Sequence, residues 1–375
     1  MHAQERRPAM GAERISTLVS LLEGQRVGLA VNRTSVVGAR QTHLLDTLLS
    51  LKVDVRKIFA PEHGFRGTEE AGAAVADARD TKTGIPVVSL YGGDNRPSAA
   101  RLSGVDVIVF DMQDVGTRFY TYISTMHYLM EACATAGIRF IVTDRPNPND
   151  CIDGPVRKAG FRSFVGLHPV PVLHGLTVGE LAQMILGEGW LDAGGKTCDL
   201  TVVPVTGWKH GDAYRLPVSP SPNLPNEQAV RLYPSLCFFE GTGVSVGRGT
   251  HFPFQALGYP DEKAGPYVFT PEALPGFDSN PLHRGKRCYG MDLRQAAFEG
   301  GLSLRFVTDF YDRLGRDEQA FFTRPQWFDL LAGTDALRKQ IVAGMAEDEI
   351  RASWQADLNI YKKTRKKYLL YDDYR

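Results

Sequence analysis

The apolar residues in the first half of the chain form short continuous runs, separated by longer segments in which apolar positions recur every three or four residues. Continuous β-branched runs are typical of parallel strands buried on both faces, and the longer period is typical of helices. We predict strands at residues 26–32, 53–59, 86–90, 105–110, 138–143 and 200–205, and helices at residues 42–51, 121–136 and 177–187. This alternation predicts an α/β fold with a Rossmann-like, mostly parallel, doubly wound sheet.

Polar segments follow five of these strands, at the point where each strand ends. They begin at Asn32, Pro61, Tyr91, Asp111 and Asp144. The carboxyl ends of parallel strands lie at one edge of a sheet, and α/β proteins bind their ligands at that edge. The sequence therefore predicts a cleft there.

The pattern changes after a proline-rich segment, residues 215–234, which has few helix formers and is predicted to cross the molecule in an extended conformation. We place a domain boundary near Val230. It divides the chain into a Rossmann-like catalytic domain, residues 1–230, and a smaller α+β domain, residues 231–375, that completes the cleft. Helical spacing in the second domain predicts helices at residues 306–313, 336–343 and 348–358.

Charge and hydropathy exclude several classes of partner. Lys and Arg number 43, as do Asp and Glu, and the one basic run, residues 362–367, is predicted to lie on the exposed face of a terminal helix. Nucleic acid is therefore not an expected partner. No apolar stretch is as long as a membrane span, and the first residues lack the apolar core of a signal peptide. We expect a cytoplasmic location for the chain as written.

Metal and dinucleotide sites are not expected either. The five cysteines are scattered, and no two have the spacing of metal ligands, which argues against a zinc site and against a disulfide framework. The first strand is followed by residues 32–38 (NRTSVVG) rather than by the Gly-x-Gly-x-x-Gly of dinucleotide-binding proteins, which argues against NAD. We predict that the protein uses no metal and no cofactor.

Glu62, in the segment 61–67 (PEHGFRG), is the first candidate for a catalytic acid. A glycosidase needs a carboxylic acid to protonate the departing oxygen, and an apolar or anionic setting keeps that acid protonated. Phe65 would help to desolvate Glu62, whereas Arg66 and a charged His63 would oppose this. The alternative is a surface-loop carboxylate that caps a turn.

A denser polar block, residues 111–122, contains Asp114, Arg118, Tyr120 and Tyr122. Sugars need hydrogen-bonding groups for their hydroxyls and flat rings for their C–H faces, so this combination indicates a carbohydrate site. The alternative is that a helix begins here and the tyrosines only pack.

Four more polar residues are candidates. Asn147 lies between two prolines, so it would face the cleft from a rigid turn or bond its own backbone. His174 follows a short apolar run, where a lone histidine is more often structural. Arg248, between two glycines, suits fork-like binding of a carboxylate, and Glu240 is either a second catalytic acid or a buried partner for an arginine.

Taken together, these blocks resemble the exo-β-N-acetylmuramidases of the NamZ type, a family long catalogued as a domain of unknown function, DUF1343. The matching segments are residues 28–32 (GLAVN), 61–67 (PEHGFRG), 111–122 (DMQDVGTRFYTY), 144–148 (DRPNP), 221–225 (SPNLP), 239–242 (FEGT), 247–250 (GRGT) and 365–371 (RKKYLLY). The resemblance implies a Rossmann-like domain with a smaller C-terminal domain, and release of N-acetylmuramic acid from the non-reducing ends of peptidoglycan fragments. It also implies that Glu62 is the catalytic glutamate. Many relatives carry an export signal, which implies an exported location as the alternative to the cytoplasm.

The implied substrate has a chemical feature that the candidates can recognise. Muramic acid carries a lactyl carboxylate, and an arginine fork is its natural partner, with Arg66, Arg118 and Arg248 as candidates. The complete set of predicted substrate-binding residues is Asn32, His63, Arg66, Arg118, Tyr120, Tyr122, Asn147, His174, Asn223 and Arg248.

The leading hypothesis is a muramidase in which Glu62 is the general acid and Asp114 or Glu240 is the second carboxylate. Carboxyl groups about 5–5.5 Å apart would predict retention of configuration and about 6.5–9.5 Å inversion, and assistance by the substrate's own acetamido group is a third route. Residues 64–84, rich in Gly and Ala, are predicted to close over the substrate. The alternatives are a non-catalytic binder of muropeptides and a hydrolase of another carboxylated sugar.

Overall fold

The computed structural model describes residues 7–61, 65, 78–90 and 96–374. Its strands are β1 (Val27–Val31), β2 (Val36–Val37), β3 (Thr42–His43), β4 (Val55–Ala60), β5 (Ala78–Arg79), β6 (Pro86–Ser89), β7 (Val107–Asp111), β8 (Arg139–Thr143), β9 (Ile152–Asp153), β10 (Leu173–His174), β11 (Leu200–Val203), β12 (Ala256–Tyr259), β13 (Tyr267–Phe269) and β14 (Cys288–Asp292). Its helices are α1 (Ile15–Leu22), α2 (Leu44–Ser50), α3 (Ala99–Leu102), α4 (Tyr122–Ala136), α5 (Val178–Gly187), α6 (Glu227–Leu236), α7 (Arg305–Arg313), α8 (Glu318–Phe321), α9 (Pro325–Ala332), α10 (Ala336–Val342), α11 (Glu347–Ser353) and α12 (Gln355–Arg365).

A seven-stranded sheet forms the centre of the first domain, in the order β11-β8-β7-β1-β4-β6-β5. Six of its strands run parallel, and β5 pairs with β6 in the antiparallel direction at the edge. The six parallel strands are the six that the apolar runs predict, with small shifts at their ends. The prediction of an α/β, Rossmann-like fold with a doubly wound sheet is therefore confirmed.

Strand β7 shows why these apolar runs are continuous. All five of its residues are buried. Val107 and Val109 belong to a core cluster that includes side chains of α1 and α2, whereas Ile108 and Phe110 belong to a larger cluster that includes α4 and α5. Successive side chains of a strand point to opposite faces, so a strand covered by helices on both faces is apolar along its length, and the polar Asp111 comes only at the carboxyl end of β7.

Helix α5 begins with the capping box that its sequence suggests. The side chain of Thr177 accepts a hydrogen bond from the backbone N–H of Glu180 at 3.3 Å, and a Glu180 carboxylate oxygen accepts one from the backbone N–H of Thr177 at 2.9 Å. These reciprocal bonds satisfy backbone donors that a helix leaves free at its start.

The second domain is smaller and combines a three-stranded antiparallel sheet, in the order β12-β14-β13, with helices α7 to α12. Its buried aromatic residues Phe239, Phe310 and Phe328 belong to the same core cluster as the α4 side of the first domain. The two domains therefore share one core, and the surface where they meet provides the walls of a cavity.

The prediction of an extended chain over residues 215–234 is wrong for its last eight residues, 227–234, which belong to α6; this helix runs through the predicted boundary at Val230. The Asn226 side chain caps α6 by accepting a hydrogen bond from the Ala229 N–H at 3.0 Å. Pro234 lies inside the helix and has no N–H for the carbonyl four residues earlier. The Asn149 side chain supplies that carbonyl, of Val230, with a donor at 3.0 Å, so the helix tolerates its proline.

Two predictions at the C-terminus also need correction. The helix predicted at 348–358 is two helices, α11 and α12, which are separated at Trp354. The basic run at 362–367 is mostly exposed, but Arg365 is buried and donates hydrogen bonds to the Gly175 carbonyl at 2.6 Å and to Asp373 at 2.7 Å. None of the helices in the described residues is long and apolar enough to cross a membrane.

Candidate active site

A cavity of about 220 Å³ lies where the two domains meet, and we call it the aromatic cavity. The first domain contributes the segment before α4, the loop at 163–165 and the turn at 221–224; the second contributes side chains from α6, the loops after it, and α9. The lining residues are Phe119, Tyr120, Thr121, Tyr122, Ser163, Phe164, Val165, Ser221, Asn223, Leu224, Tyr233, Glu240, Arg248, Phe254 and Trp327. Five of the residues predicted from the sequence are among them: Tyr120, Tyr122, Asn223, Glu240 and Arg248.

One wall of the cavity is a continuous aromatic surface. The ring of Tyr233 packs edge-on against Phe119, at 5.3 Å between centroids, and against Phe254, at 5.0 Å. The rings of Tyr120 and Tyr122 meet at 4.8 Å. Burial raises the pKa of Tyr120 and Tyr233 well above the usual value, so both phenols stay neutral near neutral pH. Such a wall suits the C–H face of a sugar ring.

Glu240 and Arg248 form an ion pair in this cavity. Nη2 and Nε of Arg248 lie 2.6 Å and 3.1 Å from Oε1 of Glu240. The side chains of Arg248 and Glu240 are 24% and 22% exposed, so the pair is open to a ligand. Burial works against the charge of Arg248, but the neighbouring Glu240 carboxylate outweighs it and raises the pKa of Arg248.

Both bonds of this pair use the same carboxylate oxygen, and this leaves other atoms available. In the described part of the chain, Nη1 of Arg248 donates no hydrogen bond, and Oε2 of Glu240 has only the Cys237 thiol at 4.0 Å. The pair therefore offers one cationic donor and one anionic acceptor, side by side, to a molecule in the cavity.

The backbone around Arg248 holds the guanidinium in place. Gly247 and Gly249 both have φ of 77°, a conformation that favours glycine. A Cβ on Gly249 would lie 2.4 Å from Pro281, so the loop is also closely packed. Phe254 has φ of 56°, which is uncommon for a bulky residue, and its ring lies 5.2 Å from Cζ of Arg248. Strained positions of this kind cluster at functional sites.

The other predicted residues of the first domain lie deeper, at the carboxyl edge of the sheet. Asp114 is 6% exposed, accepts a hydrogen bond from the Gly116 N–H at 2.7 Å, and lies 3.6 Å from Nε2 of the buried His174. Oδ1 of Asn32 accepts two hydrogen bonds from Thr34. Among these residues, none lines the aromatic cavity.

Arg118 does not have the position that its predicted role requires. Its side chain is fully buried, and its guanidinium donates to the backbone carbonyls of Pro155, Val170 and Leu331 at 2.7–2.9 Å. Burial, together with nearby Arg157, lowers the pKa of Arg118 to about 9. The side chain joins segments of both domains and does not face the cavity, so it is not placed to bind a lactyl carboxylate.

A larger cavity, of about 550 Å³, is lined by residues 147–151, 211–216, 227, 230, 231 and 299–301. Of the predicted residues that the structure describes, it contains only Asn147, whose amide is already bonded to the Asn149 N–H and the Leu176 carbonyl. Its cations, Arg215 and Arg231, are both paired with Glu227 near the surface. Its size is therefore a weaker indication of function than the open polar atoms of the aromatic cavity.

Comparison with known proteins identifies the family. Two family models match the chain: "Exo-beta-N-acetylmuramidase NamZ, N-terminal" over residues 27–228 and "Exo-beta-N-acetylmuramidase NamZ, C-terminal" over residues 231–371. The chain belongs to the NamZ family. It is 39% identical over 373 residues to the peptidoglycan beta-N-acetylmuramidase NamZ of Bacillus subtilis (strain 168), covering 93% of this chain and 88% of that protein.

Solved structures of two DUF1343 family proteins from Bacteroides fragilis NCTC 9343 have the same fold. One has a TM-score of 0.89 at 43% identity, covering 98% of this chain and 100% of that chain. The other has a TM-score of 0.82 at 30% identity, covering 98% and 99%. The resemblance to the NamZ family inferred from the sequence motifs is confirmed.

Three predicted residues of the NamZ motif, Glu62, His63 and Arg66, lie outside the described residues, as does most of the segment 64–84, for which closure over the substrate is predicted. Phe65 is described: it is 6% exposed, belongs to the core cluster on the α1–α2 side, and packs edge-on against His43 at 5.0 Å.

Several residues of the cavity are not predicted from the sequence, among them Phe164, Tyr233, Phe254 and Trp327. In the sequence each has the pattern of an ordinary core aromatic. They become cavity residues only because α6, α9 and the loop at 163–165 come together when the two domains pack. The one signal that could have found them is that a carbohydrate site needs aromatic rings to face its polar block. In the sequence these aromatic residues are far apart, so the signal is hard to recognise.

Proposed function

We propose that this member of a family of exo-β-N-acetylmuramidases cleaves terminal N-acetylmuramic acid from peptidoglycan fragments, and that the aromatic cavity holds that sugar. The observation that carries the proposal is the open Glu240–Arg248 pair, with its 2.6 Å contact, beside a wall of aromatic rings. The name of the Bacillus subtilis relative, a peptidoglycan beta-N-acetylmuramidase, supports the substrate class.

Arg248 is the proposed reader of the lactyl carboxylate. Among the described residues its Nη1 has no acceptor, and its Nε and Nη2 are held by Glu240, so the guanidinium is fixed before a ligand arrives. Hydrogen bonds between ionised partners are about twice as strong as neutral ones, and they discriminate sharply against a ligand that lacks the charge. N-Acetylglucosamine lacks this carboxylate and would gain nothing from Arg248.

Glu240 is a better candidate than Asp114 for the second carboxylate. Glu240 lines the aromatic cavity, and among the described residues its Oε2 has only the Cys237 thiol, at 4.0 Å, whereas Asp114 is buried and lines neither cavity. A carboxylate in this position suits a group that stabilises an oxocarbenium-like transition state or activates water. We propose Glu62 of the matching motif as the acid that protonates the departing oxygen.

The decisive experiment uses a disaccharide of N-acetylmuramic acid linked to N-acetylglucosamine, with muramic acid at the non-reducing end. We expect release of both free sugars, measured by mass spectrometry, and no release from the disaccharide of reversed order. Binding without release would instead identify a non-catalytic muropeptide binder. Cleavage of other carboxylated sugars at equal rates would identify a different hydrolase.

A variant tests the acid. Glu62→Gln should lower turnover of a chromogenic N-acetylmuramic acid glycoside by several orders of magnitude, since the departing oxygen then has no proton donor. Glu23→Gln, at an exposed position outside the cavity, is the control. Turnover near that of the wild type would remove Glu62 from the chemistry.

A further inference from the structure

Asn223 is a buried residue of the aromatic cavity whose side-chain amide, like the Tyr120 hydroxyl, is unbonded in the described part of the chain. The residue is 4% exposed, yet its Nδ2 has no hydrogen-bond partner there. Its Oδ1 accepts no hydrogen bond from the described residues either. Leaving a buried polar group unpaired costs about 1–3 kcal/mol, and native proteins seldom tolerate it without a reason. A ligand that completes the bond is such a reason.

The backbone fixes this amide in place. Asn223 lies in a turn closed by a hydrogen bond from the Leu224 N–H to the Ser221 carbonyl at 3.1 Å, between Pro222 and Pro225. The Tyr122 hydroxyl donates to the Pro220 carbonyl at 3.3 Å, which ties the turn to the start of α4. The turn that carries the amide is therefore preorganised, and a ligand that bonds the amide loses little entropy in ordering the backbone.

The surroundings of Asn223 indicate which ligand group it bonds. The charged groups of the cavity, Glu240 and Arg248, suit a hydroxyl and a carboxylate. Asn223 is neutral, and it lines the same cavity as the packed rings of Phe119, Tyr233 and Phe254. A neutral carbonyl that carries a methyl group matches this combination of one amide donor and an apolar wall.

We propose that Asn223 recognises the 2-acetamido group of the terminal sugar. Its Nδ2 donates to the acetyl carbonyl, and the acetyl methyl packs on the aromatic wall. This inference rests on the proposed function and deepens it: Arg248 reads the lactyl group, and Asn223 makes the site specific for N-acylated sugars. A peptidoglycan strand whose muramic acid carries a free amine would be a poor substrate.

The test compares two glycosides, one of N-acetylmuramic acid and one of muramic acid with a free amine, and uses the ratio of their kcat/KM values. That ratio does not depend on the fraction of enzyme that is folded. Asn223→Ala should lower kcat/KM about tenfold on the acetylated glycoside and leave the other unchanged, as expected for one lost hydrogen bond. Asn223→Asp should reverse the preference, because its carboxylate repels the carbonyl and attracts the ammonium group.

Asn226→Asp is the matched control. Asn226 lies in the same segment, but its amide is bonded within the protein, to Gln255 at 2.9 Å and to the Ala229 N–H at 3.0 Å. Aspartate is an equally good helix cap, so the substrate ratio should stay at the wild-type value. An equal loss on both glycosides in the Asn223 variants, or no loss on either, would overturn the proposal.

Failure of the proposed function gives a different result. If the wild type cleaves neither glycoside, the muramidase proposal is wrong, and calorimetry with the two free sugars decides the role of Asn223. Tighter binding of N-acetylmuramic acid to the wild type, and of muramic acid to Asn223→Asp, would support the inference. Equal affinities in both proteins would contradict it.

Discussion

The aromatic cavity and the C-terminal end of the chain both bring ionisable side chains together, but they differ in how completely those groups are bonded. At the C-terminus, His210 lies between Asp150, at 2.9 Å, and Glu180, at 3.0 Å. Glu180 also accepts a hydrogen bond from the Leu370 N–H, and Asp150 one from the Tyr374 hydroxyl. We call this group the C-terminal anchor, since it fastens the last residues to the first domain.

The difference separates a structural cluster from a candidate binding site. In the anchor, both imidazole nitrogens and both carboxylates have protein partners, so no atom is left for a ligand. In the aromatic cavity, Arg248, Glu240 and Asn223 each keep at least one polar atom without a strong partner in the described residues. Between these two clusters, incomplete bonding marks the candidate binding site.

The largest expected effect is on the cavity side of this comparison. Glu240→Gln should lower kcat/KM on an N-acetylmuramic acid glycoside by roughly a hundred- to a thousand-fold, because the positioned charge beside the reacting centre is lost. Glutamine can still accept a hydrogen bond from Arg248, so the melting temperature should hardly change.

Asp114→Asn is the matched variant, and it should cost less than tenfold in kcat/KM, since asparagine can still accept the Gly116 N–H. If the two losses were exchanged, Asp114 would replace Glu240 as the second carboxylate. The comparison thus decides between the two acids that the sequence leaves open.

The parts of this molecule that the sequence predicts well are those set by local patterns. The six parallel strands follow from continuous apolar runs, and α5 from its Thr177–Glu180 capping box. Helix α6 does not follow from the sequence, because its proline is made tolerable by Asn149, which is far away along the chain.

The residues of the candidate site also divide into those that a local sequence motif marks and those that only distant contacts define. Glu240, Arg248 and Asn223 stand in short motifs that mark them in the sequence itself, and the fold brings all three into one cavity. Arg118 stands in such a motif too, but three backbone carbonyls from distant segments occupy its guanidinium. The aromatic wall has no motif, because it forms only when the two domains pack together.

The second expected effect is a pH dependence of the free energy of unfolding, caused by His210 in the C-terminal anchor. Burial lowers the pKa of His210, but hydrogen bonds and charges of Asp150 and Glu180 outweigh this and raise it to about 9. The charged imidazole therefore stabilises the fold fully below the ordinary value of about 6.5, and this contribution is lost as pH rises through about 9. Its size is on the order of 3 kcal/mol.

Urea unfolding as a function of pH measures this contribution. The free energy of unfolding of the wild type should fall between about pH 6.5 and pH 9 by more than that of His210→Gln, which cannot take up a proton. NMR titration of the imidazole gives an independent value. Identical pH profiles for the two proteins would show that His210 does not fasten the tail through its charge.

A smaller effect is expected at Arg248. Arg248→Lys keeps the charge but cannot bond Glu240 and still present the separate Nη1 donor to the lactyl carboxylate, so about 1.5–2 kcal/mol of the charged hydrogen bonding should be lost, or roughly ten- to thirty-fold in kcat/KM on an N-acetylmuramic acid glycoside. The residual activity on an N-acetylglucosamine glycoside should not change, because that sugar has no lactyl group. An equal loss on both would assign Arg248 to holding Glu240 and not to reading the substrate.

The smallest expected effect is on stability, in a variant of the C-terminal anchor, and it can be compared directly with a variant of the aromatic cavity. Tyr374→Phe removes the hydroxyl that lies 2.8 Å from Asp150, which keeps His210 and the Gly211 N–H as partners. The free energy of unfolding should fall by about 0.5–1 kcal/mol while kcat/KM stays the same.

In Asn223→Ala the opposite should hold, with a lower kcat/KM and an unchanged or higher free energy of unfolding. The reason is that the deleted amide had no partner in the described residues to lose. If both variants changed both quantities, incomplete bonding would not separate binding sites from structural clusters in this protein.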